Sequence, residues 1–316
     1  MGYQFKVLIA EGFAEDAAKV LEGFAEVKLA PPKGAFTEED LIRELADCDA
    51  VIISSRTGVP RRVIEASPKL KVISKFGAKP DNVDFQAAAE RGIRVLWTPL
   101  SNPDSVAEFT VLLMLSLLRK LARAVEVLRQ GKWRNDVEHT SDIHRQTVGL
   151  IGLGNVGIRV AERLRGFQPR LIAFDPYVSP DRAMQAEVEL VDFSALLAES
   201  DVVSLHATLT PEARHMIGYP QFQAMKRGAI LINTARGGLV DESALVKALK
   251  EGLIAGAGLD VFEKEPPDAD NALLRMDNVI ATPHIAARTR DTVYRERTWA
   301  AEDVKRILSG QEPIHC

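Results

Sequence analysis

The sequence predicts an α/β protein built from two doubly wound parallel sheets. Apolar strand-like runs alternate with amphipathic helix-like runs over most of the chain, which is typical of a parallel sheet with helices on both faces. The length of 316 residues exceeds what one ordinary core needs, so we expect two domains. The strand-like runs also fall into two series, separated by a long helical pattern that starts near Asn102.

The first series of strand-like runs occupies the first hundred residues. Between the strands lie amphipathic segments such as residues 37–46, where Thr37 is a candidate N-cap and an acidic cluster, 38–40, fills the first turn. An N-cap hydroxyl followed by acidic residues is a helix-start signal. The predicted strands of this series are 6–10, 26–29, 50–54, 71–74 and 94–97.

The second half begins with a helix and then repeats the pattern. A helical run is predicted from Asn102 to about Gln130, where Gly131 ends it. A second strand series follows, and the tail from about 289 to 308 is predicted to be helical again. The predicted strands of this series are 148–152, 171–175, 201–206, 230–234, 255–260 and 279–282.

Composition excludes several classes of protein. The chain has 40 basic and 44 acidic residues interspersed, for a net charge of −4, so we expect no nucleic-acid partner. The longest apolar run, 111–118, is far shorter than the ~20 residues that a membrane span needs. Two cysteines, Cys48 and Cys316, are too few for a disulfide framework. These features predict a cytoplasmic enzyme without a membrane partner.

A glycine motif marks a candidate dinucleotide site. The predicted strand at 148–152 runs into Gly152-x-Gly154-x-x-Gly157, and a helix-like stretch at 158–166 follows. Gly152 permits the tight turn, Gly154 lets the backbone approach a pyrophosphate, and Gly157 lets the helix press on the strand. Such a turn also serves ordinary strand–helix packing, so the motif alone leaves both interpretations open.

An acidic residue downstream favours the dinucleotide interpretation. Asp175 ends the next predicted strand, eighteen residues after Gly157. A carboxylate in that place can accept hydrogen bonds from the adenosine ribose hydroxyls. Because it would also repel a 2′-phosphate, the predicted cofactor is NAD and not NADP. The alternative is a surface aspartate in an Asp-Pro turn.

Three ionisable residues follow three successive strands of the second series. Arg236, Glu265 and His284 all lie just past a predicted strand or in the loop beyond it. Ligands of open parallel sheets bind beyond the carboxyl ends of the strands. We therefore expect these side chains to converge where a nicotinamide would lie, although each alone could be an ordinary loop residue.

The three residue types suit reduction of a 2-oxo acid at C2. His284 can donate the proton that the developing alkoxide needs and take it back in the oxidative direction. Glu265 beside the imidazole would orient it and favour its protonated form. Arg236 can hold the substrate carboxylate with its planar guanidinium and polarise the C2 carbonyl.

Four blocks of the sequence carry a resemblance to a known family. They are 149–157 (GLIGLGNVG), 233–242 (NTARGGLVDE), 259–266 (LDVFEKEP) and 282–286 (TPHIA). With these blocks the chain resembles the D-isomer-specific 2-hydroxyacid dehydrogenases over nearly its whole length. The resemblance implies a Rossmann NAD-binding domain, 102–284, inserted into a flavodoxin-like catalytic domain, 1–101 with 285–316. It also implies an active site in the cleft between the domains, and a homodimer that uses the helix after Asn102.

The resemblance assigns roles to residues of this chain. The family's catalytic arginine, glutamate and histidine match Arg236, Glu265 and His284. It implies that Asp260 contacts the nicotinamide amide and that the backbone near His206 lines the cofactor. The full set of implied cofactor residues is Gly152, Gly154, Asn155, Val156, Gly157, Asp175, His206, Thr234, Ala235 and Asp260.

The identity of the acid depends on loops of the first domain. Residues 55–57 and 100–108 look most like the phosphoglycerate dehydrogenase branch, in which the arginine matching Arg56 helps to hold a distal phosphate. The family's usual substrate loop, Gly-Val-Gly-x-Asp-Asn, reads Gly-Ala-Lys-Pro-Asp-Asn at 77–82. Lys79 replaces a glycine, and Pro80 removes a backbone donor.

These departures lead to a hypothesis about the substrate. Arg56 and Lys79 together would receive a second anionic group, a phosphate or a distal carboxylate; alternatively, Lys79 points to solvent and only the path of the loop has changed. The predicted substrate-binding residues are Arg56, Ala78, Lys79, Arg236 and His284.

Two rival functions remain open from the sequence. The first is an NAD(H)-sensing protein similar to the transcriptional corepressors related to this family, which keep the fold and the same catalytic residues. The second is a relative that oxidises formate or phosphite. The lysine of the phosphite enzymes would fall on Ala78, one residue before Lys79, and that mismatch counts against the second rival.

Overall fold

The structure, a computed structural model, describes residues 3–11, 14–30, 36–77 and 80–316. The chain divides into two compact units. Unit 1 consists of Met1–Asn102 and Arg288–Cys316, and unit 2 consists of Pro103–Ala287. Unit 2 is therefore an insertion into the chain of unit 1.

Unit 1 contains a parallel five-stranded sheet within its described residues. The strand order is β2-β1-β3-β4-β5, and every neighbouring pair is parallel. This is the doubly wound order of flavodoxin-like folds, so the predicted fold class is confirmed. The elements are β1 (Phe5–Ile9), α1 (Glu15–Leu21), β2 (Ala25–Leu29), α2 (Glu38–Leu45), β3 (Ala50–Ile53), α3 (Arg61–Glu65), β4 (Val72–Lys75), α4 (Phe85–Glu90) and β5 (Arg94–Trp97).

Local sequence signals account for these elements. Strands β3 and β4 are buried along their whole length, as expected for central parallel strands covered on both faces. Helix α2 begins with the predicted cap, since the Thr37 hydroxyl accepts from the Asp40 amide at 3.2 Å. The Asp40 carboxylate in turn accepts from the Thr37 amide at 3.3 Å, which completes a capping box.

Unit 2 contains a parallel seven-stranded sheet with the order β12-β11-β10-β9-β6-β7-β8 in its described residues. The order reverses between β6 and β9, which makes this the switch point where doubly wound sheets bind ligands. The elements are α5 (Pro103–Leu118), α6 (Leu121–Arg129), β6 (Thr147–Ile151), α7 (Asn155–Leu164), β7 (Arg170–Phe174), α8 (Pro180–Gln185), β8 (Glu189–Leu190), α9 (Phe193–Glu199), β9 (Val202–Leu205), α10 (Tyr219–Ala224), β10 (Ile230–Asn233), α11 (Glu242–Lys250), β11 (Gly256–Leu259) and β12 (Val279–Ala281).

The prediction of one long helix from Asn102 to Gln130 is wrong in one respect. It is two helices, α5 and α6, with a break at Lys120, whose φ of +46° is left-handed. A left-handed residue cannot continue a right-handed helix, so the chain turns there. The two-residue strand β8 was not predicted either, because so short a run carries no periodicity.

The last helix, α12 (Arg290–Leu308), returns the chain to unit 1. It begins at the Thr289 cap, whose hydroxyl accepts from the Thr292 amide at 3.0 Å. Its small buried residues, Ala300 and Ala301, join the apolar cluster on one face of the five-stranded sheet. Within the described ranges, none of the helices combines the length and apolar character that crossing a bilayer requires.

Candidate active site

In the glycine turn between β6 and α7, two glycines are packed closely against backbone atoms, and the third faces open space. Gly152 has a φ of +95°, and a Cβ on it would lie 2.7 Å from the Ala207 amide nitrogen. A Cβ on Gly157 would lie 2.3 Å from the Gly152 carbonyl oxygen. A Cβ on Gly154 would meet nothing within 4 Å among the described residues. The turn therefore leaves open space at the glycine predicted to approach a pyrophosphate.

Asp175 follows β7 and fastens the turn. Its Oδ2 accepts from the Leu153 amide at 2.7 Å, and its Oδ1 accepts from the amides of Tyr177 at 2.8 Å and Val178 at 3.2 Å. Each carboxylate oxygen can accept two hydrogen bonds, so Oδ2 retains capacity for a ribose hydroxyl. These groups fit an adenine dinucleotide, and the ribose contact itself stays a prediction.

His206 lies at the switch point, directly after β9. Its amide donates to the Ile151 carbonyl at 2.7 Å, and its Nε2 is 3.0 Å from the Ser204 hydroxyl. Burial lowers the pKa of His206 to about 3, so the ring is neutral at ordinary pH. Its buried Nδ1 has no hydrogen-bond partner in the described chain, and the backbone of His206 adjoins the glycine turn.

Asn233, at the end of β10, shapes the turn that presents Arg236. The buried Asn233 side chain accepts from the Ala235 amide at 3.0 Å and donates to the Arg236 carbonyl at 2.9 Å. Thr234 is buried as well, with its hydroxyl 2.8 Å from that of Thr110 on α5. The Arg236 side chain is exposed, and its Nη1 donates to the Ala235 carbonyl at 2.6 Å.

Gly237 joins the arginine turn to the neighbouring loop. A Cβ on Gly237 would lie 1.9 Å from the carbonyl carbon of Phe262, a separation that atoms do not tolerate. The amide of Phe262 in turn donates to Oε1 of Glu265 at 3.1 Å. Backbone contact therefore fixes the loop of Arg236 against the loop of Glu265.

Glu265 and His284 make the direct contact expected from the sequence. The His284 Nδ1 lies 2.7 Å from the Glu265 Oε2. The imidazole is 52% exposed and the carboxylate 36% exposed. Since Nδ1 is engaged by the carboxylate, Nε2 is the nitrogen left to face a ligand.

Asp260 holds the turn that carries His284. Its fully buried carboxylate accepts from the Thr282 hydroxyl at 2.6 Å and from the amides of Ile285 at 2.9 Å and Ala286 at 2.8 Å. Its carbonyl accepts from the His284 amide at 2.9 Å. His284 has a left-handed φ of +53°, a conformation that persists only when its surroundings over-determine it.

The three predicted catalytic residues occupy one edge of the sheet in unit 2. Strands β10, β11 and β12 are consecutive neighbours, and Arg236, Glu265 and His284 follow them in that order. Glu265 and His284 touch directly, whereas Arg236 is linked to them through the packing of Gly237 on Phe262. The sequence analysis missed Asn233, Gly237 and the clamp formed by Asp260.

In unit 1, the described residues include one of the predicted substrate-binding residues. Arg56 lies in the turn after β3, is 79% exposed, and donates from Nη2 to Oε2 of Glu11 at 2.9 Å. Ala78 and Lys79 lie outside the described residues. The hypothesis that pairs Arg56 with Lys79 therefore stays a prediction.

Residues 111–286 match the model of the D-isomer specific 2-hydroxyacid dehydrogenase family, NAD binding domain. The matched range includes Arg236, Glu265 and His284, and it covers more than half of the chain. The chain belongs to this family. The predicted family is confirmed. The matched range lies within unit 2, the unit that carries the glycine turn.

Named relatives extend the comparison to the whole chain. A D-3-phosphoglycerate dehydrogenase of Archaeoglobus fulgidus is 43% identical over 306 residues, which are 96% of this chain and 58% of that protein. A hydroxypyruvate reductase of Thermotoga maritima is 39% identical over 294 residues, which are 92% of this chain and 94% of that protein. The chain thus spans little more than half the length of the first relative.

A solved structure shares the fold over its full length. The D-lactate dehydrogenase of Lactobacillus jensenii with NAD⁺ superposes with a TM-score of 0.85 at 29% identity, covering 98% of each chain. The parallel sheets described above are therefore the fold of known family members.

Proposed function

We propose that this chain is an NAD-dependent oxidoreductase acting on C2 of a D-2-hydroxy acid or the matching 2-oxo acid. The observation that carries the proposal is the contact between His284 Nδ1 and Glu265 Oε2 at 2.7 Å, on the sheet edge that also bears Arg236. NAD(H) would supply or accept the hydride at C2. The protein must then bind the acid, orient it and move one proton.

His284 would move the proton. Glu265 accepts from Nδ1, so the ring presents Nε2 to the substrate oxygen on C2. In reduction Nε2 donates its proton to the developing alkoxide, and in oxidation it accepts the hydroxyl proton. The carboxylate of Glu265 stabilises the imidazolium through charge and hydrogen bonding. Asp260 keeps the ring at the required position by holding the backbone on both sides of it.

Arg236 would bind the acid. A guanidinium can donate two parallel hydrogen bonds to a carboxylate, which fixes orientation as well as charge. The exposed side chain of Arg236 follows the strand beside that of the Glu265 loop. Holding the C1 carboxylate there would bring the C2 oxygen to the imidazole, which makes proton transfer effectively intramolecular.

Unit 2 would hold the dinucleotide, and unit 1 would recognise the acid. Gly152, Gly154 and Gly157 would receive the pyrophosphate at the N-terminus of α7, with Asn155 and Val156 in its first turn. Asp175 would bind the ribose. The nicotinamide would lie against the backbone at His206, Thr234 and Ala235, and Asp260 would contact its amide. We assign Arg56, with Ala78 and Lys79, to the far end of the acid.

We also propose that the protein is a cytoplasmic homodimer. Helices α5 and α6 and the loop after them expose large apolar side chains, which a second copy could cover. The exposed apolar residues are Leu112, Leu121, Val125, Leu128 and Trp133. A mass of two chains in light scattering, reduced to the mass of one chain by Leu128→Glu, would support the dimer.

The cytoplasmic location is proposed from the cysteines. Cys48 and Cys316 are free, which suits a reducing compartment.

A deuterium-transfer experiment tests the proposed activity. The protein is incubated with NADH that carries two deuterium atoms at C4 of the nicotinamide and with a panel that contains glyoxylate, pyruvate, hydroxypyruvate and its 3-phosphate. The proposal predicts deuterium on C2 of the 2-hydroxy acid, which should have the D configuration for the three acids other than glyoxylate. Binding of NADH without turnover of any acid would favour the corepressor-like alternative, which the dehydrogenase and reductase names of the relatives do not favour.

A further inference from the structure

Glu11 is a buried carboxylate at the centre of a side-chain cluster that the proton transfer does not use. It follows β1, and its side chain is only 9% exposed. Its Oε1 accepts from the hydroxyls of Ser54 and, at 3.5 Å, of Thr57. Its Oε2 accepts from Nη2 of Arg56 at 2.9 Å. A nearly buried carboxylate with two hydroxyl partners and one guanidinium partner is fixed in place.

The cluster occupies the ligand-binding position of the unit 1 sheet. In the order β2-β1-β3-β4-β5 the chain reverses direction between β1 and β3. Glu11 follows β1, and Ser54, Arg56 and Thr57 follow β3. In doubly wound sheets, ligands bind in the crevice beyond the carboxyl ends of the strands at this switch point.

Asn82 makes the turn after β3 rigid. Its side-chain amide donates to the carbonyls of Ser54 at 2.9 Å and Thr57 at 2.6 Å. The Val59 amide donates to the Asn82 carbonyl at 2.8 Å. Arg56 is therefore an exposed guanidinium on a fixed turn, and the described part of unit 1 offers no partner to its Nε and Nη1 donors.

The charge of Arg56 is offset before any ligand arrives. A guanidinium alone would add one positive charge for an anionic ligand, but the Glu11 carboxylate at 2.9 Å brings the sum over these two side chains to zero. The donors that remain can still form hydrogen bonds with a neutral oxygen. A dianionic phosphate would gain those hydrogen bonds while being repelled by Glu11 through the guanidinium.

We propose that Glu11 is a specificity-determining residue, which lowers the preference of this subsite for a phosphorylated 2-oxo acid relative to one with an uncharged, hydroxyl-bearing far end. This inference rests on the proposed function and on the assignment of Arg56 to the far end of the acid. It departs from the sequence-based hypothesis of a second anionic group, which counted the positive charge of Arg56 without its partner.

The test measures one ratio in a set of charge variants. The ratio is kcat/KM for 3-phosphohydroxypyruvate divided by kcat/KM for hydroxypyruvate, with NADH in excess. Glu11→Gln keeps the shape of the side chain and removes its charge, so the ratio should rise about tenfold. Arg56→Ala removes the positive charge, so the ratio should fall by about the same factor.

The double variant separates charge from orientation. Glu11→Gln with Arg56→Ala returns the sum over these two side chains to zero, and its ratio should return to near the wild-type value. If Glu11 served only to orient Arg56, the double variant would instead behave like Arg56→Ala alone. Glu22→Gln, an exposed residue at the end of α1, makes the same change in net charge and should leave the ratio as in the wild type.

The outcomes distinguish this inference from the proposed function. Wild-type protein with no activity on either acid would end the proposed function and the inference with it. Activity with a ratio that Glu11→Gln lowers or leaves unchanged would overturn the inference alone. Because Arg56 is exposed, its variant should fold even if Glu11→Gln does not, and an unchanged ratio in Arg56→Ala would also overturn the inference.

Discussion

The two units hold their functional side chains by different means. In unit 2, the loops of Arg236 and Glu265 meet where Gly237 touches the backbone of Phe262, and the two amides that follow His284 donate to the buried carboxylate of Asp260. In unit 1, Arg56 is held by side chains, chiefly Glu11. The catalytic loops of unit 2 therefore meet at a close main-chain contact, whereas the guanidinium of Arg56 is paired with a side chain that substitution can change.

Main-chain contacts and side-chain contacts respond differently to substitution. A main-chain contact such as that of Gly237 leaves no room for even one added carbon, so a change there displaces whole loops. A side-chain contact such as that between Glu11 and Arg56 can be altered while the fold persists. Unit 2 should therefore lose turnover when it is altered, and unit 1 should change its choice of substrate.

The largest expected effect is at the proton-transferring histidine. His284→Gln removes the group that gives and takes the proton, so kcat should fall about 10³-fold. Binding of NADH, followed by nicotinamide fluorescence, should be retained. His139→Gln, an exposed histidine of the same unit, serves as the control. A variant at position 284 that kept more than a tenth of wild-type kcat would break the assignment.

Gly237→Ala tests the backbone contact itself. The added Cβ would sit 1.9 Å from the carbonyl carbon of Phe262, so the loops of Arg236 and Glu265 must separate. We expect kcat to fall about 100-fold and the free energy of unfolding to fall by about 2 kcal/mol.

Gly166→Ala is the matched control for that substitution. Gly166 is exposed in the same unit, and its Cβ would meet no described atom within 4 Å. Its kinetics and urea-unfolding midpoint should stay at the wild-type values. Equal behaviour of the two alanine variants would show that the contact at Gly237 is unimportant.

His206, a half-buried residue with a buried Nδ1, predicts how stability varies with pH. His206 has a pKa of about 3 in the folded protein, against 6.5 for an exposed imidazole. Between these values the unfolded chain binds a proton that the folded chain does not, so stability declines as pH falls from 6.5 towards 3. The contribution is up to about 1.4 kcal/mol per pH unit.

Urea unfolding at several pH values measures this contribution. His206→Gln removes the titrating group, so the stability of the variant should decline less steeply between pH 6.5 and 5 than that of the wild type. Superimposable pH profiles for the two proteins would contradict a buried neutral imidazole beside the glycine turn.

The smallest effect is expected in unit 1. Asn82→Ala removes two hydrogen bonds that fix the turn of Arg56, so KM for the 2-oxo acid should rise about fivefold while kcat changes little. Asn135→Ala, an exposed residue in unit 2, should change neither constant. If Asn82→Ala lowered kcat and left KM unchanged, the predicted difference between the two units would be wrong.

The parts of the fold and of the candidate site that can be predicted from the sequence are those with a signal in neighbouring residues of the chain. Strand positions follow from apolar runs, the Thr37 cap follows from its acidic neighbours, and Arg236, Glu265 and His284 follow from their places after strands. The break at Lys120 escaped prediction because a left-handed lysine has no sequence signature. Gly237 and Glu11 escaped because their partners lie 25 and 45 residues away along the chain.

A crystal structure with NADH and oxamate, a non-reducible analogue of a 2-oxo acid, tests the central claim most directly. The account predicts that the guanidinium of Arg236 donates to the oxamate carboxylate. It also predicts that Nε2 of His284 lies within about 3.2 Å of the oxygen that stands for the C2 carbonyl. Oxamate bound elsewhere, or an imidazole directed away from that oxygen with Glu265 unpaired, would contradict the account.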